Sequence, residues 1–343
     1  MSEVAPAGRA HRSRPVEREV FAALDLGTNN CRLLLATPTA RGFRVVDSYS
    51  RIVRLGEGLS QTGVLARGAM ERAMAALSTC AEKIRRRGAS RVGAVATQAC
   101  RTAVNGARFV AEVEARTGLR LKIISPRDEA RLAVAGCLNL IDRGAQAALV
   151  LDVGGGSTEL SWLDLRGDPG QGRARVAAWV SVPIGVVTLA ESFPPGAAGD
   201  VLGFRAMVEA FKAEIVGFRR ADAVRSLFNE GAAHLIGTSG AITSLAGLHL
   251  RLPRYDRGRV DGLWMSHAEC QAVARRLIAL TVAERGDEPC IGPDRADLVL
   301  AGAAILEAVQ DVWPCERVRV ADRGLREGLL LSLMADHRRR RAP

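Results

Sequence analysis

The sequence predicts an α/β protein of two related domains with a ligand cleft between them. Three observations lead there. At 343 residues the chain exceeds one small core and suits two domains of ordinary size. Two distant segments look alike: FAALDLGTNNCRLLLA from Phe21 to Ala36 and ALVLDVGGGSTELSWL from Ala148 to Leu163. Around them, strand-like runs alternate with helical ones, as they do when helices cover sheets that are at least partly parallel.

Each similar segment is an apolar run ending in Asp-x-Gly, a few small polar residues, then a second apolar run. That reads as strand, tight turn and returning strand, with glycine freeing the turn backbone. Between them, Gly68 to Arg87 puts Met70, Ala73, Met74, Leu77, Ala81 and Ile84 on one helical face. Arg91 to Thr97 reads as a strand, Ala107 to Thr117 as a helix stopped by Gly118, Leu121 to Ser125 as a short strand, and Pro126 to about Leu140 as a helix. In the second half, Val176 to Pro183, His234 to Gly240 and Glu316 to Val320 are strand-like. Helical patterns fall near 203–216, 241–250, 266–281, 296–312 and 325–335. The expected division is a basic tail over 1–18, a first domain over 19–133, a second over 134–336 and a basic tail over 337–343.

Composition excludes several classes. Hydrophobic residues make up 48% and charged residues 25%, so a packed core is expected rather than disorder. No apolar run approaches the ~20 residues of a membrane span, and the polar start of the chain does not resemble a secretory signal. Seven scattered cysteines without a CxxC pair argue against a disulfide framework and a structural zinc site. The cytoplasm is the expected compartment, and a homodimer is left open. Of the net charge of +11, +4 comes from Arg338 to Arg341 and +2 from residues 1–18. With three lysines and aromatics at 4%, there is no basic element interleaved with aromatics, so specific nucleic-acid binding is not expected. A basic chain still suits a small or linear polyanion.

The chemistry concentrates at the turns. Asp152-Val-Gly154-Gly155-Gly156-Ser157-Thr158-Glu159 removes every Cβ from the bend, so backbone N–H groups can approach an oxyanion while Ser157 and Thr158 add hydroxyls. Asp152 and Glu159 are hard oxygen donors suited to a divalent cation. A plain Gly-rich hairpin would read the same way in isolation. Asp25-Leu-Gly27-Thr28-Asn29-Asn30 repeats the pattern in the first domain, and Gly237-Thr-Ser239-Gly240 follows a third strand. Taken together, the three turns resemble those of the actin, sugar kinase and chaperone ATPase superfamily. That likeness implies two ribonuclease-H-like domains with an interdomain active-site cleft.

A narrower likeness runs from Phe21 to Leu331. DLGTNNCRLLLA, TQACRTAVN, ISPRDEARL, LDVGGGSTEL, PIGVVTLAESF and GLREGLL, in that order, resemble the exopolyphosphatase and guanosine pentaphosphate phosphatase (Ppx/GppA) family in a short two-domain form. The resemblance implies Mg²⁺-dependent hydrolysis of a terminal phosphoanhydride, with polyphosphate or guanosine pentaphosphate as substrate. It assigns Glu129 as catalytic base and Arg101 as a phosphate contact. It makes Asp25, Gly27, Thr28, Asn29, Gly154 to Thr158, Gly237, Ser239 and Gly240 the phosphate site, and ties Asp152 and Glu159 to magnesium. On local sequence alone Glu129 reads instead as an acidic residue in a helix first turn after an N-cap at Ser125, worth roughly 0.3–1 kcal/mol with the dipole, and the family motif reverses that reading. The same dipole predicts an ionised Glu129. Arg101 reads alone as a solvated strand-end arginine. Asn30 and Ala241 depart from the family, which usually has serine and often threonine there. Two other readings stay open: a kinase of the same superfamily, and a sensor that binds nucleotide without cleaving it.

Overall fold

A computed structural model describes residues 19–40, 42–167, 174–194 and 196–341; the expected tail over 1–18 lies outside them. Eleven strands among these residues form two sheets. The first holds β1 (Val20–Leu26), β2 (Asn30–Thr39), β3 (Gly42–Ile52), β4 (Ala89–Ala96) and β5 (Lys122–Ile123), in the spatial order β3-β2-β1-β4-β5. β1, β2 and β3 form an antiparallel meander, while β4 runs parallel to β1 and β5 to β4. β1 is almost continuously apolar and buried, because helices cover the sheet from both faces.

The second sheet repeats this plan. It holds β6 (Ala147–Val153), β7 (Thr158–Asp164), β8 (Arg175–Val182), β9 (Ala233–Thr238), β10 (Trp264–Ser266) and β11 (Arg317–Ala321), in the order β10-β11-β9-β6-β7-β8. Without the short edge strand β10, its order and strand directions match those of the first sheet. The predicted duplication of a ribonuclease-H-like sheet is therefore present. Both similar sequence segments are the first hairpin of their sheet, β1–β2 and β6–β7.

Two helices bind the halves together. Helix Pro126–Cys137 follows the first sheet yet buries Val134 and Cys137 with Ala148, Val150, Leu163 and Ile236 of the second. Helix Leu325–Arg341 follows the second sheet and buries Leu330 and Met334 against Phe21, Ala23, Leu34 and Ala36 of the first. The two helices touch backbone to backbone. A Cβ at Gly136 would fall 2.0 Å from Gly324 O, and one at Gly328 would fall 1.9 Å from Leu132 O. The closing helix thus belongs to the first sheet's layer. It also runs past the expected boundary at 336 to Arg341, into the segment read as a tail. Arginine is a good helix former, and positive charge in a last turn meets the negative end of the dipole, so the helix continues after its apolar face ends at Met334. All seven cysteines are buried free thiols.

Candidate active site

The two Asp-x-Gly turns have the same internal geometry. Gly27 N donates to Asn30 O at 2.8 Å, and Gly154 N donates to Ser157 O at 2.9 Å. Each closes the hairpin directly after its aspartate, and the two turns face each other across the cleft. A Cβ at Gly155 would lie 3.0 Å from Thr28 Cβ and 3.1 Å from Asn29 N, so a bare backbone is required for the turns to meet. Gln98 joins them: its Oε1 accepts from Thr28 Oγ1 at 3.1 Å and would lie 2.1 Å from a Cβ at Gly156.

The third turn completes the wall. Ser239 has φ of 116°, a conformation rare outside glycine, and its hydroxyl accepts from Ala241 N at 3.2 Å. Above Gly240 two guanidinium groups converge from opposite domains. A Cβ there would lie 3.1 Å from Arg32 Nη2 and 3.5 Å from Arg295 Cζ. Arg32 stands opposite Asp25 in the β1–β2 pairing.

Glu129 enters from the helix whose start was legible in sequence. Ser125 Oγ accepts from Asp128 N at 3.1 Å, Pro126 takes the first helical position, and Glu129 follows in the first turn, 7% exposed. Arg101 Nη1 lies 3.2 Å from Glu129 Oε2 and donates to Ile124 O at 2.8 Å. The arginine therefore braces the carboxylate from behind.

The cleft is lined by Asp25, Gly27, Thr28, Asn29, Glu129, Asp152, Gly154, Gly155, Gly156, Ser157, Ser239 and Gly240, all expected from sequence. Four expected residues stand outside that lining. Gly237 packs within β9 near Ile242, and Arg101 sits behind Glu129. Thr158 donates to Ile184 O at 2.7 Å, and Glu159 accepts from Ser157 Oγ at 2.9 Å and Ser181 Oγ at 2.7 Å. Glu159 thus holds the second turn by its hydroxyls. Gln98, Arg32, Arg295 and Arg326 line the cleft and were missed. Arg32 could have been found by counting back from the turn, since a tight hairpin pairs it with Asp25.

Burial perturbs the carboxylates of the cleft. Burial pushes Glu129 up to about 9, with Glu159 raising it further and Arg101 opposing. Burial likewise raises Asp152 to about 7, and it raises Asp25 and Glu159. Against the helix dipole, which favours an ionised Glu129, desolvation and the neighbouring carboxylates favour its neutral form. Asp25 Oδ1 is buried without a hydrogen-bond partner. Among the described residues no group of three or more acidic, His or Cys side chains forms a metal cage. Magnesium rarely uses such a cage. It is held by one or two carboxylates together with water and substrate phosphate, which Asp25 and Asp152 could supply here.

These shifts fix a sign. Between the ordinary carboxylate value of about 4.5 and the raised value of about 9, the folded protein binds more protons than the unfolded chain. Stability in the presence of a chelator should therefore fall as pH rises through that window. Added Mg²⁺ should flatten the fall by compensating the carboxylates. Thermal melts from pH 5 to 9, with chelator or Mg²⁺, check this; a melting temperature that rises with pH in chelator would contradict it.

Among the described residues no helix is long and apolar enough to cross a membrane. A family model described as the Ppx/GppA phosphatase family matches residues 35–337. Exopolyphosphatase 2 of Mycobacterium tuberculosis is 31% identical over 329 residues, covering 91% of this chain and 98% of that protein. The crystal structure of the Aquifex aeolicus Ppx/GppA family member aligns with a TM-score of 0.75 at 26% identity, over 93% of this chain and 98% of that one. An exopolyphosphatase structure from Cytophaga hutchinsonii shares the fold, with a TM-score of 0.81 at 20% identity over 93% and 98% of the two chains.

Proposed function

Because the chain belongs to the Ppx/GppA phosphatase family, we propose that its cleft hydrolyses the terminal phosphoanhydride bond of inorganic polyphosphate, with Mg²⁺ as cofactor. The observation that carries this reading is the pair of identically closed turns, Gly27–Asn30 and Gly154–Ser157, meeting beside Glu129. Guanosine pentaphosphate ends in the same type of bond and is proposed as a second substrate. The exopolyphosphatase named among the relatives supports polyphosphate as the first. The cytoplasm is the proposed compartment.

The residues divide the work. Backbone N–H groups of the two turns bind phosphate oxygens, and the Thr28 and Ser157 hydroxyls, bonded to Gln98 and Glu159, fix the turns. Arg32 and Arg295 hold the anionic chain from opposite sides, and their planar guanidinium groups suit phosphate. Glu129 takes the proton of a water that attacks the terminal phosphorus in line, and Arg101 fixes the carboxylate that receives it. Bound at Asp25 and Asp152, Mg²⁺ would supply positive charge to the phosphoryl oxygens in the transition state. No covalent enzyme intermediate is needed.

A test of substrate range is phosphate release, in Mg²⁺, from short and long polyphosphates, guanosine pentaphosphate and ATP. Release from polyphosphate above release from ATP supports the proposal. Phosphate transfer that requires an alcohol acceptor would replace it with a kinase.

The closing helix adds a prediction on chain length. Arg338 to Arg340 are exposed at its end. Removing residues 338–343 should weaken binding of long polyphosphate and flatten its salt dependence, by analogy with counterion release from nucleic acids. Hydrolysis of guanosine pentaphosphate should hardly change, because it is too small to reach that end. Equal loss on both substrates would show that the helix end supports the catalytic body instead.

A further inference from the structure

Besides the two helices that bind the halves together, side-chain hydrogen bonds join them at one short segment. The segment after β3, Val53 to Ser60, leaves the first domain and is gripped by the second. Arg54 donates through both Nη1 and Nη2 to the Asp297 carboxylate, each at 2.9 Å, and through Nη2 to Asp294 O at 3.0 Å. Four residues on, Glu191 receives Gly58 N at 2.9 Å and Ser60 Oγ at 2.6 Å on its two oxygens. Two carboxylates of the second domain, one on each side of Glu57, thus hold one short segment of the first.

Each side of this clasp leads directly to a phosphate turn. Val53 N and Arg54 N both donate to Asn29 O, at 2.9 and 3.1 Å, and Gly56 N donates to Thr28 O at 2.9 Å. The gripped segment is therefore the outer support of the first turn. On the other side, Glu191 lies on helix Val186–Ser192, whose Val186 N and Val187 N donate to Gly154 O and Gly155 O at 3.0 and 2.8 Å. That helix supports the second turn. Asp297 stands two residues after Arg295, one of the guanidinium groups above Gly240.

Arg54 itself is held in a costly conformation. Its φ is 45°, one of three positive values among described residues other than glycine. A bulky side chain accepts that region only when its surroundings hold it there. Arg72 braces the same segment through Val53 O at 2.9 Å and Glu57 at 2.7 Å. Neither Glu129 nor Arg101 touches it.

We infer that Arg54, clasped by Asp297 and seconded by Glu191, is a positioning residue that sets the two phosphate turns against each other by holding the domains closed. The kinetic consequence rests on the phosphoanhydride hydrolase reading; the conformational one does not. Opening the clasp should misplace both turns while leaving the proton acceptor intact, so it should act on KM more than on kcat.

The test combines variants of the clasp with two readouts, each on the full chain. Asp297→Ala and Asp297→Ala with Glu191→Ala remove the carboxylates. Arg54→Asp with Asp297→Arg reverses the pair, and aspartate tolerates the positive φ at 54 better than most residues. Amide exchange should quicken several-fold over 53–60 and 185–188 in the carboxylate variants, although these amides lie in different domains. KM for polyphosphate should rise about five- to tenfold, with kcat within about threefold. The reversed pair should recover most of the loss relative to Arg54→Asp alone. Unchanged exchange at 185–188 in folded variants, or a reversed pair no better than its parts, would overturn the inference. If Asp297→Ala does not fold, Arg54→Lys, which keeps the charge but loses the two-pronged contact, is read the same way. A wild-type protein that releases no phosphate from polyphosphate would defeat the proposed function, while the exchange result would still decide the clasp.

Discussion

Glu129→Gln is expected to lower kcat on polyphosphate by about 10²–10⁴-fold, with KM little changed. Glutamine keeps the shape and can still meet Arg101, which stands 3.2 Å from Glu129 Oε2, but it cannot take up a proton. The position is 7% exposed, so outside water cannot readily substitute as acceptor. Burial and the surrounding carboxylates push Glu129 upward, which makes its charged form a stronger base, while Arg101 favours that charged form. Because Glu129 lies at one end of a capped helix, the substitution should not unfold the protein. Steady-state kinetics decide the matter. A kcat within a few-fold of the parent would remove Glu129 from the mechanism.

Gly155→Val should abolish both turnover and binding. A Cβ there would already stand 3.0 Å from Thr28 Cβ and 3.1 Å from Asn29 N, and valine adds two methyl groups. The first casualty is the contact between the two turns, and the phosphate site goes with it. The hydrogen bonds from Val187 and Thr188 to Gly155 O would also be strained. Calorimetric titration with a non-hydrolysable triphosphate analogue, beside far-UV circular dichroism, checks the result. Native secondary structure with parental affinity would mean that the turns do not form the phosphate site.

The duplication could be read from sequence because each first hairpin carries its own signal: two apolar runs, an aspartate and glycines where the chain reverses. The central strands β1 and β6 are buried on both faces, so their apolar runs are nearly unbroken. β3 was not legible, since GFRVVDSYSRI lies at an edge with half its side chains in water and keeps no clean alternation. β10 has only three residues. The swap of the closing helix onto the first sheet left no local trace, because an apolar stripe does not say which sheet it covers.

In the site, residues on the turns and Glu129 were legible, and Arg295 was not. Arg295 comes from a segment whose sequence gives no sign of facing the turns. Glu159 shows the opposite limit. Its place next to Ser157 and Thr158 suggested a metal ligand; on the same sheet face as its register partner Asp152, its carboxylate accepts from Ser157 and Ser181.

The most direct measurement is phosphate release from long polyphosphate in ¹⁸O-labelled water with Mg²⁺, following both phosphate and residual chain length. The account predicts phosphate that carries one labelled oxygen, release one unit at a time from chain ends, and loss of release when Mg²⁺ is chelated. Unlabelled phosphate, cleavage within the chain, or tight binding without any release would contradict it.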